Sequence, residues 1–155
     1  MKRTANYTKA ATPKDIKRTV RVIDARDVSL GRLASGISVI LQGKDKAYMS
    51  YEADVGDYVV VTNIQYVRIT GAKASQKEYG TYSGYPGGLR LENLASLLQR
   101  NPRELIRRAV KGMLPKNKLR DKRLARLSTF VDENYKTPIV GLPIVIEHGS
   151  NKTKN

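Results

Sequence analysis

The chain has no cysteine, no tryptophan, one histidine and one phenylalanine. Without cysteine there is no disulfide, no thiolate nucleophile and no Cys-ligated zinc. The single histidine, His148, sits near a polar tail, which removes the usual basis for a Ser-His-Asp arrangement or a histidine metal site. No apolar run approaches the roughly 18 residues of a membrane span. Nor does a long basic amphipathic helix carry Trp or Phe anchors for a membrane surface. Acids are also scarce: 14 against 29 basic residues, a net charge of +15. Such an excess repels itself unless a polyanion neutralises it, which makes nucleic acid the first candidate partner.

What is present fits one domain with tails. A chain of 155 residues is long enough to bury roughly 68–70% of its unfolded surface. The charge is unevenly spread. Residues 1–26 carry a net +6 and residues 91–126 a net +8, while the remaining portions lie near neutrality. Two basic regions thus flank a neutral middle, the pattern of a body that holds a polyanion on more than one side.

Residues 1–18 have little apolar content and no period, and are expected to form an extended basic arm that orders on binding. An organelle transit peptide is the competing reading, but Pro13 interrupts the stretch and no amphipathic Arg-rich helix is visible. Val20 to Ala25 reads as a strand. Ser29 is placed to cap a helix whose apolar stripe is Leu30, Leu33, Ile37, Ile40 and Leu41, ended by Gly43. The β-branched run Tyr58 to Asn63 suits a strand buried on both faces of a parallel sheet, completing a βαβ unit. Val67 to Thr70 is a short extended piece, and Gln76 to Tyr82 a further strand leading into the tight loop Gly84 to Gly88. Asn101, Pro102 and Glu104 mark a helix start. Its buried face is Leu105, Ile106, Ala109, Val110 and Met113. A last strand is expected near Arg126 to Val131, followed by an irregular tail.

The stretch from Lys111 to Arg126 holds seven basic residues and one acid, Asp121. A solvated helix face usually mixes signs, so this run points to a polyanion. Gly112 and Pro115 predict that a helix ends there and the chain turns a corner. Many cations around a corner suit phosphate contacts better than base readout, which needs a few fixed side chains.

Other motifs are weaker. Gly36 and Gly43-Lys44 have the wrong spacing for a phosphate-binding loop, and Asp45 stands where Ser or Thr would hold magnesium. The loop Gly84 to Gly88 is either a plain turn or backbone brought close to phosphate, with Tyr79, Tyr82 and Tyr85 available for stacking. Asp24, Asp27, Asp54 and Asp57 either balance nearby cations or form a carboxylate pair. The second possibility keeps a metal-dependent nuclease as the rival function. That rival requires Asp24 and Asp57 to converge, yet Asp57 opens its strand.

Taken together, these segments resemble the bacterial-type large-subunit ribosomal protein thirteen family. The resemblance rests on Val22-Ile23-Asp24-Ala25, Leu30-Gly31-Arg32-Leu33-Ala34, Gly43-Lys44-Asp45-Lys46-Ala47 and Gly56 to Asn63. It continues through Val67 to Lys73, Tyr82 to Leu89 and, most specifically, Ala109 to Lys116. It covers roughly residues 19 to 131. It implies a three-layer α/β/α fold around a four-stranded, mostly parallel sheet, with a basic N-terminal arm and an irregular C-terminal tail. It also implies a structural role without enzymatic activity, binding to 23S-type ribosomal RNA early in subunit assembly, neighbouring ribosomal proteins as partners, and no cofactor, membrane or small-molecule substrate. A cytoplasmic, ribosome-bound location follows, with an organellar ribosome as the alternative.

The expected division is an arm over 1–18, one α/β domain over 19–131 and an extension over 132–155. The expected RNA-binding residues are Lys2, Arg3, Lys9, Lys17 and Arg18 in and beside the arm. In the body they are Arg32, Lys44, Lys46, Lys73 and Lys77, with Tyr82, Tyr85, Gly87 and Gly88 on the loop. At the corner they are Arg107, Lys111, Lys116, Lys118, Arg120, Lys122, Arg123 and Arg126. The chain departs from the family pattern at Val20-Arg21, Asp45, Tyr51-Glu52, Leu119-Arg120-Asp121 and around Asn134-Tyr135-Lys136, so contacts of the family histidines replaced there are not carried over, and residues 132–155 inherit no family contacts.

Overall fold

A computed structural model describes residues 16–50, 53–135 and 143–147. Residues 1–15 of the expected arm, with Lys2, Arg3 and Lys9, lie outside the described residues. Strand β1 (Val20–Asp24), helix α1 (Leu30–Gln42) and strand β2 (Tyr58–Thr62) form the expected βαβ unit, with β1 and β2 parallel. Val59, Val60 and Val61 are all fully buried, so both faces of β2 are covered. Strand β5 (Leu127–Thr129) pairs parallel with the outer side of β2. Strand β6 (Ile144–Glu147) pairs parallel with β1, giving the order β5-β2-β1-β6 in an α/β fold. β6 lies in the segment expected to be irregular. A four-residue strand with three apolar residues has too little length for periodicity to reveal it.

Helix α1 buries Leu33, Ala34, Ile37, Ile40 and Leu41. It ends at Gly43, whose φ of 72° only glycine adopts freely. Ser29 stands at the N-cap but its hydroxyl caps nothing. The helix entrance is held by backbone instead: Leu30 N–H donates to the Arg68 carbonyl at 3.1 Å, and Arg68 N–H to the Val28 carbonyl at 3.0 Å. Helix α2 (Lys73–Gln76) leads into the antiparallel hairpin of β3 (Glu78–Tyr82) and β4 (Leu89–Asn93), and helix α3 (Leu94–Arg100) follows.

Helix α4 (Pro102–Met113) begins as the sequence predicts, with the Asn101 side chain accepting from Glu104 N–H at 3.2 Å. Leu105, Ile106 and Val110 are buried, but Met113 is 43% exposed and does not join the core. Helix α5 (Arg120–Leu124) follows the corner after α4. The main core joins Ile23, Val59 and Val61 of the sheet to Ile37 and Leu41 of α1 and to Ile106 and Val110 of α4. On the opposite sheet face Val20, Val22 and Val60 pack with Tyr58, Phe130 and Tyr135.

Candidate nucleic-acid interface

Helix α4 stops one residue after Gly112. Leu114 is extended and nearly fully buried, and Pro115 carries the chain around the corner. Asn117 pins the new direction, its side chain accepting from Leu119 N–H at 3.2 Å and its carbonyl from Arg120 N–H at 3.1 Å. The buried Leu114 and Leu124 anchor this corner, so its cations face outward by default. Lys111, Lys116, Lys118 and Lys122 are exposed, and Arg120 is half-buried. Arg103, Arg107 and Lys111 recur every fourth residue and lie exposed along α4, a stripe of about 12 Å. Arg103 was not among the expected contacts, though its spacing from Arg107 was the available signal.

Two corner residues require correction. Arg123 and Arg126 are only 4% and 7% exposed and turn inward to Asp54. Arg126 makes a two-pronged pair with Asp54, one hydrogen bond being 2.7 Å, and also donates to the Leu41 carbonyl at the end of α1 at 3.2 Å. These arginines hold the fold together and are closed to an outside polyanion. A run of cations in sequence does not reveal which of them meet an acid far away in the chain. Burial pushes the Asp54 carboxyl up, but its hydrogen bond and charge contact with Arg126, supported by Arg123, outweigh this and leave it below the ordinary value.

Lys46 is corrected for the same reason. Its ammonium donates to the Lys17 and Val55 carbonyls at 2.9 and 3.0 Å and to the Asp57 carboxylate at 2.5 Å. Asp57 is fully buried and also accepts from Thr19 N–H at 2.9 Å. Arg18 donates to the Asp54 carbonyl at 3.1 Å, so it too closes the base of the sheet. Lys17, Arg32 and Lys44 remain exposed.

At the hairpin tip Tyr82 and Tyr85 are 62% and 75% exposed. Gly87 has φ 73°. A Cβ on Gly88 would strike the Ser83 hydroxyl and stand 2.9 Å from the Tyr85 carbonyl oxygen. The turn itself therefore accounts for both glycines. Tyr79 points the other way, toward Leu94, Leu97 and Leu105. Beside it Lys73, Lys77, Arg68 and Arg108 surround a cavity of about 450 Å³ between α1, α2 and α4. Arg68 and Arg108 were not among the expected contacts: Arg68 stands alone in a neutral segment, and nothing in the sequence separates Arg108 from its neighbour Arg107. Asp24 and Asp57 do not converge: Asp24 ends β1, whereas Asp57 precedes β2, a strand length or about 16 Å away.

Residues 18–136 match the family model described as ribosomal protein L13. This chain belongs to the ribosomal protein L13 family. A curated relative named "Large ribosomal subunit protein uL13", from Pelobacter propionicus, is 44% identical over 128 residues, covering 83% of this chain and 90% of the relative. A relative of the same name from Pseudarthrobacter chlorophenolicus is 48% identical over 118 residues, covering 76% and 80%. Another, from Nitrosococcus oceani, is 45% identical over 126 residues, covering 81% and 89%. The L13 match takes in both the corner and the hairpin, and it ends before β6.

Proposed function

We propose that this chain is a structural constituent of the large ribosomal subunit, holding 23S-type ribosomal RNA and meeting neighbouring ribosomal proteins. The observation that carries this reading is the L13 family match over residues 18–136, which takes in the exposed cations of α4 and the corner. The charge pattern supports it. Asp45, Asp54, Asp57, Glu92 and Glu104 are each engaged by a cation of the same chain. Lys111, Lys116, Lys118 and Lys122 form no ion pair among the described residues and remain available to phosphates. The family is one of structural proteins, and Asp24 and Asp57, the pair the nuclease alternative requires, lie apart. A cytoplasmic, ribosome-bound location follows from the proposed role. Among the described residues no helix is long and apolar enough to cross a membrane. The test is co-sedimentation of tagged full-length chain with large subunits in a high-salt sucrose gradient. Migration with free protein alone, away from the subunit peak, would overturn the proposal.

A further inference from the structure

We infer that the cavity between α1, α2 and α4 receives one unpaired nucleotide of the bound RNA, its base entering the apolar interior and its phosphates staying at the cationic mouth. This inference rests on the RNA-binding reading and adds a site to it. The interior is apolar: Leu30, Ile69, Leu94 and Met113 line it. The charged lining is of one sign, supplied by Arg68, Lys73, Lys77 and Arg108, with no carboxylate. Arg108 is held in place by Glu104 at 2.9 Å and Thr81 at 3.2 Å. The Lys77 ammonium lies 5.3 Å and the Arg108 guanidinium 5.9 Å from the centre of the Tyr79 ring. The Tyr79 hydroxyl is out of contact with solvent and has no hydrogen-bond partner. The Tyr79 ring, not its hydroxyl, therefore forms that part of the cavity wall.

Two helical glycines add an independent observation. Gly31 in α1 and Gly112 in α4 both line this cavity, and a Cβ built on either meets nothing within 4 Å. Neither has a positive φ. Glycine disfavours helix, and neither position needs it for packing or backbone conformation. Bare backbone at both positions keeps the cavity open. An unpaired nucleotide matches the set: a flat apolar face for the interior and a phosphate on each side for the cations. A base within a duplex cannot enter, because it is stacked and paired.

The experiment uses the full chain and its Gly112→Leu and Gly31→Leu variants, which fill the cavity without changing charge. Each is titrated with a single-stranded RNA of mixed sequence, with the duplex of that strand and its complement, and with uridine monophosphate. The expected result is a loss of roughly tenfold in single-strand affinity, the scale of one lost base contact, with duplex affinity and melting temperature preserved. Equal single-strand binding by wild type and a folded variant overturns the cavity site while leaving RNA binding intact. Failure of the wild type to bind either RNA overturns the RNA-binding reading itself. Mononucleotide binding as tight as single-strand binding overturns the inference in favour of a free-nucleotide site. Should neither variant fold, photocrosslinking of wild type to a 4-thiouridine strand decides: adducts on Tyr79 or Met113 support the site, and adducts confined to other residues overturn it.

Discussion

At the scale of single residues, Asp54 carries the largest consequence. It faces two buried guanidiniums, so removing its charge strands both. Asp54→Asn is expected to cost about 3–5 kcal/mol, the range for breaking a buried pair by deleting one partner. Urea denaturation measures this, and a loss within experimental error would mean that Arg123 and Arg126 find other partners. The same pair sets a pH dependence. The folded Asp54 pKa lies below its ordinary value of 3.8, so the unfolded chain takes up the proton first as acid is added. Its stabilisation is therefore full above about pH 4–5 and is lost as pH falls through the lower folded value. Stability curves should show a shallower acid limb in Asp54→Asn than in wild type. Gly56 supplies a second test. A Cβ there would strike the Leu41 carbonyl, with its carbonyl carbon 2.5 Å away. Backbone on both sides leaves little room to yield, and Gly56→Ala should destabilise by about 3 kcal/mol or more, the upper end of overpacking costs. A melting temperature equal to wild type would contradict the collision.

At the scale of elements, α4 is the most legible and the best test of a sequence signal. Asn101 caps it, Pro102 opens it and Glu104 adds a favourable charge to the first turn. Asn101→Ala should cost about 1 kcal/mol by thermal or urea unfolding; no loss would mean that tertiary packing alone holds the helix start. α1 and β2 were equally legible, α1 from its apolar stripe and terminal Gly43 and β2 from its continuous β-branched run. Others were not. β4 alternates weakly and leaves Leu89 and Leu91 exposed, so its pattern does not separate a buried face from a wet one. α3 is only seven residues long, shorter than two full helical turns, and β6 is shorter still. The corner was legible as a basic turn, but the inward rotation of Arg123 and Arg126 was not. Their three-residue spacing puts them on one side of the chain, yet the acid that decides that side lies near residue 54. Met113 failed for the converse reason: its spacing fits the α4 stripe, but nothing in sequence showed that Val110 and Leu114 fill the core at this end of α4 while Met113 turns to the side cavity.

For the molecule as a whole, the cations divide into two groups with separable effects. Lys111, Lys116 and Lys118 are exposed, and replacing all three with Ala should lower the slope of log affinity against log salt by about 2 at preserved stability. Arg123→Ala should do the opposite, lowering stability with no change of slope. Salt titrations of RNA binding alongside urea melts measure both. A slope change in Arg123→Ala, or none in the triple variant, would mean that the division is wrong. The count of +15 therefore overstates what meets RNA, since part of it neutralises acids inside the fold.

The pairing of β6 with β1 has a consequence for the order in which the chain comes together. Val20 is the register partner of Ile144, so almost the full length must be synthesised before the sheet acquires its fourth strand. β1, α1 and β2 are contiguous and can associate early. β1 then waits with one edge unpaired while more than half of the chain emerges. Closing so long a loop is slow, and an unpaired strand edge invites wrong partners in the interval. A nascent chain halted before residue 143 should therefore be more prone to aggregate, and more readily bound by chaperones, than the finished protein.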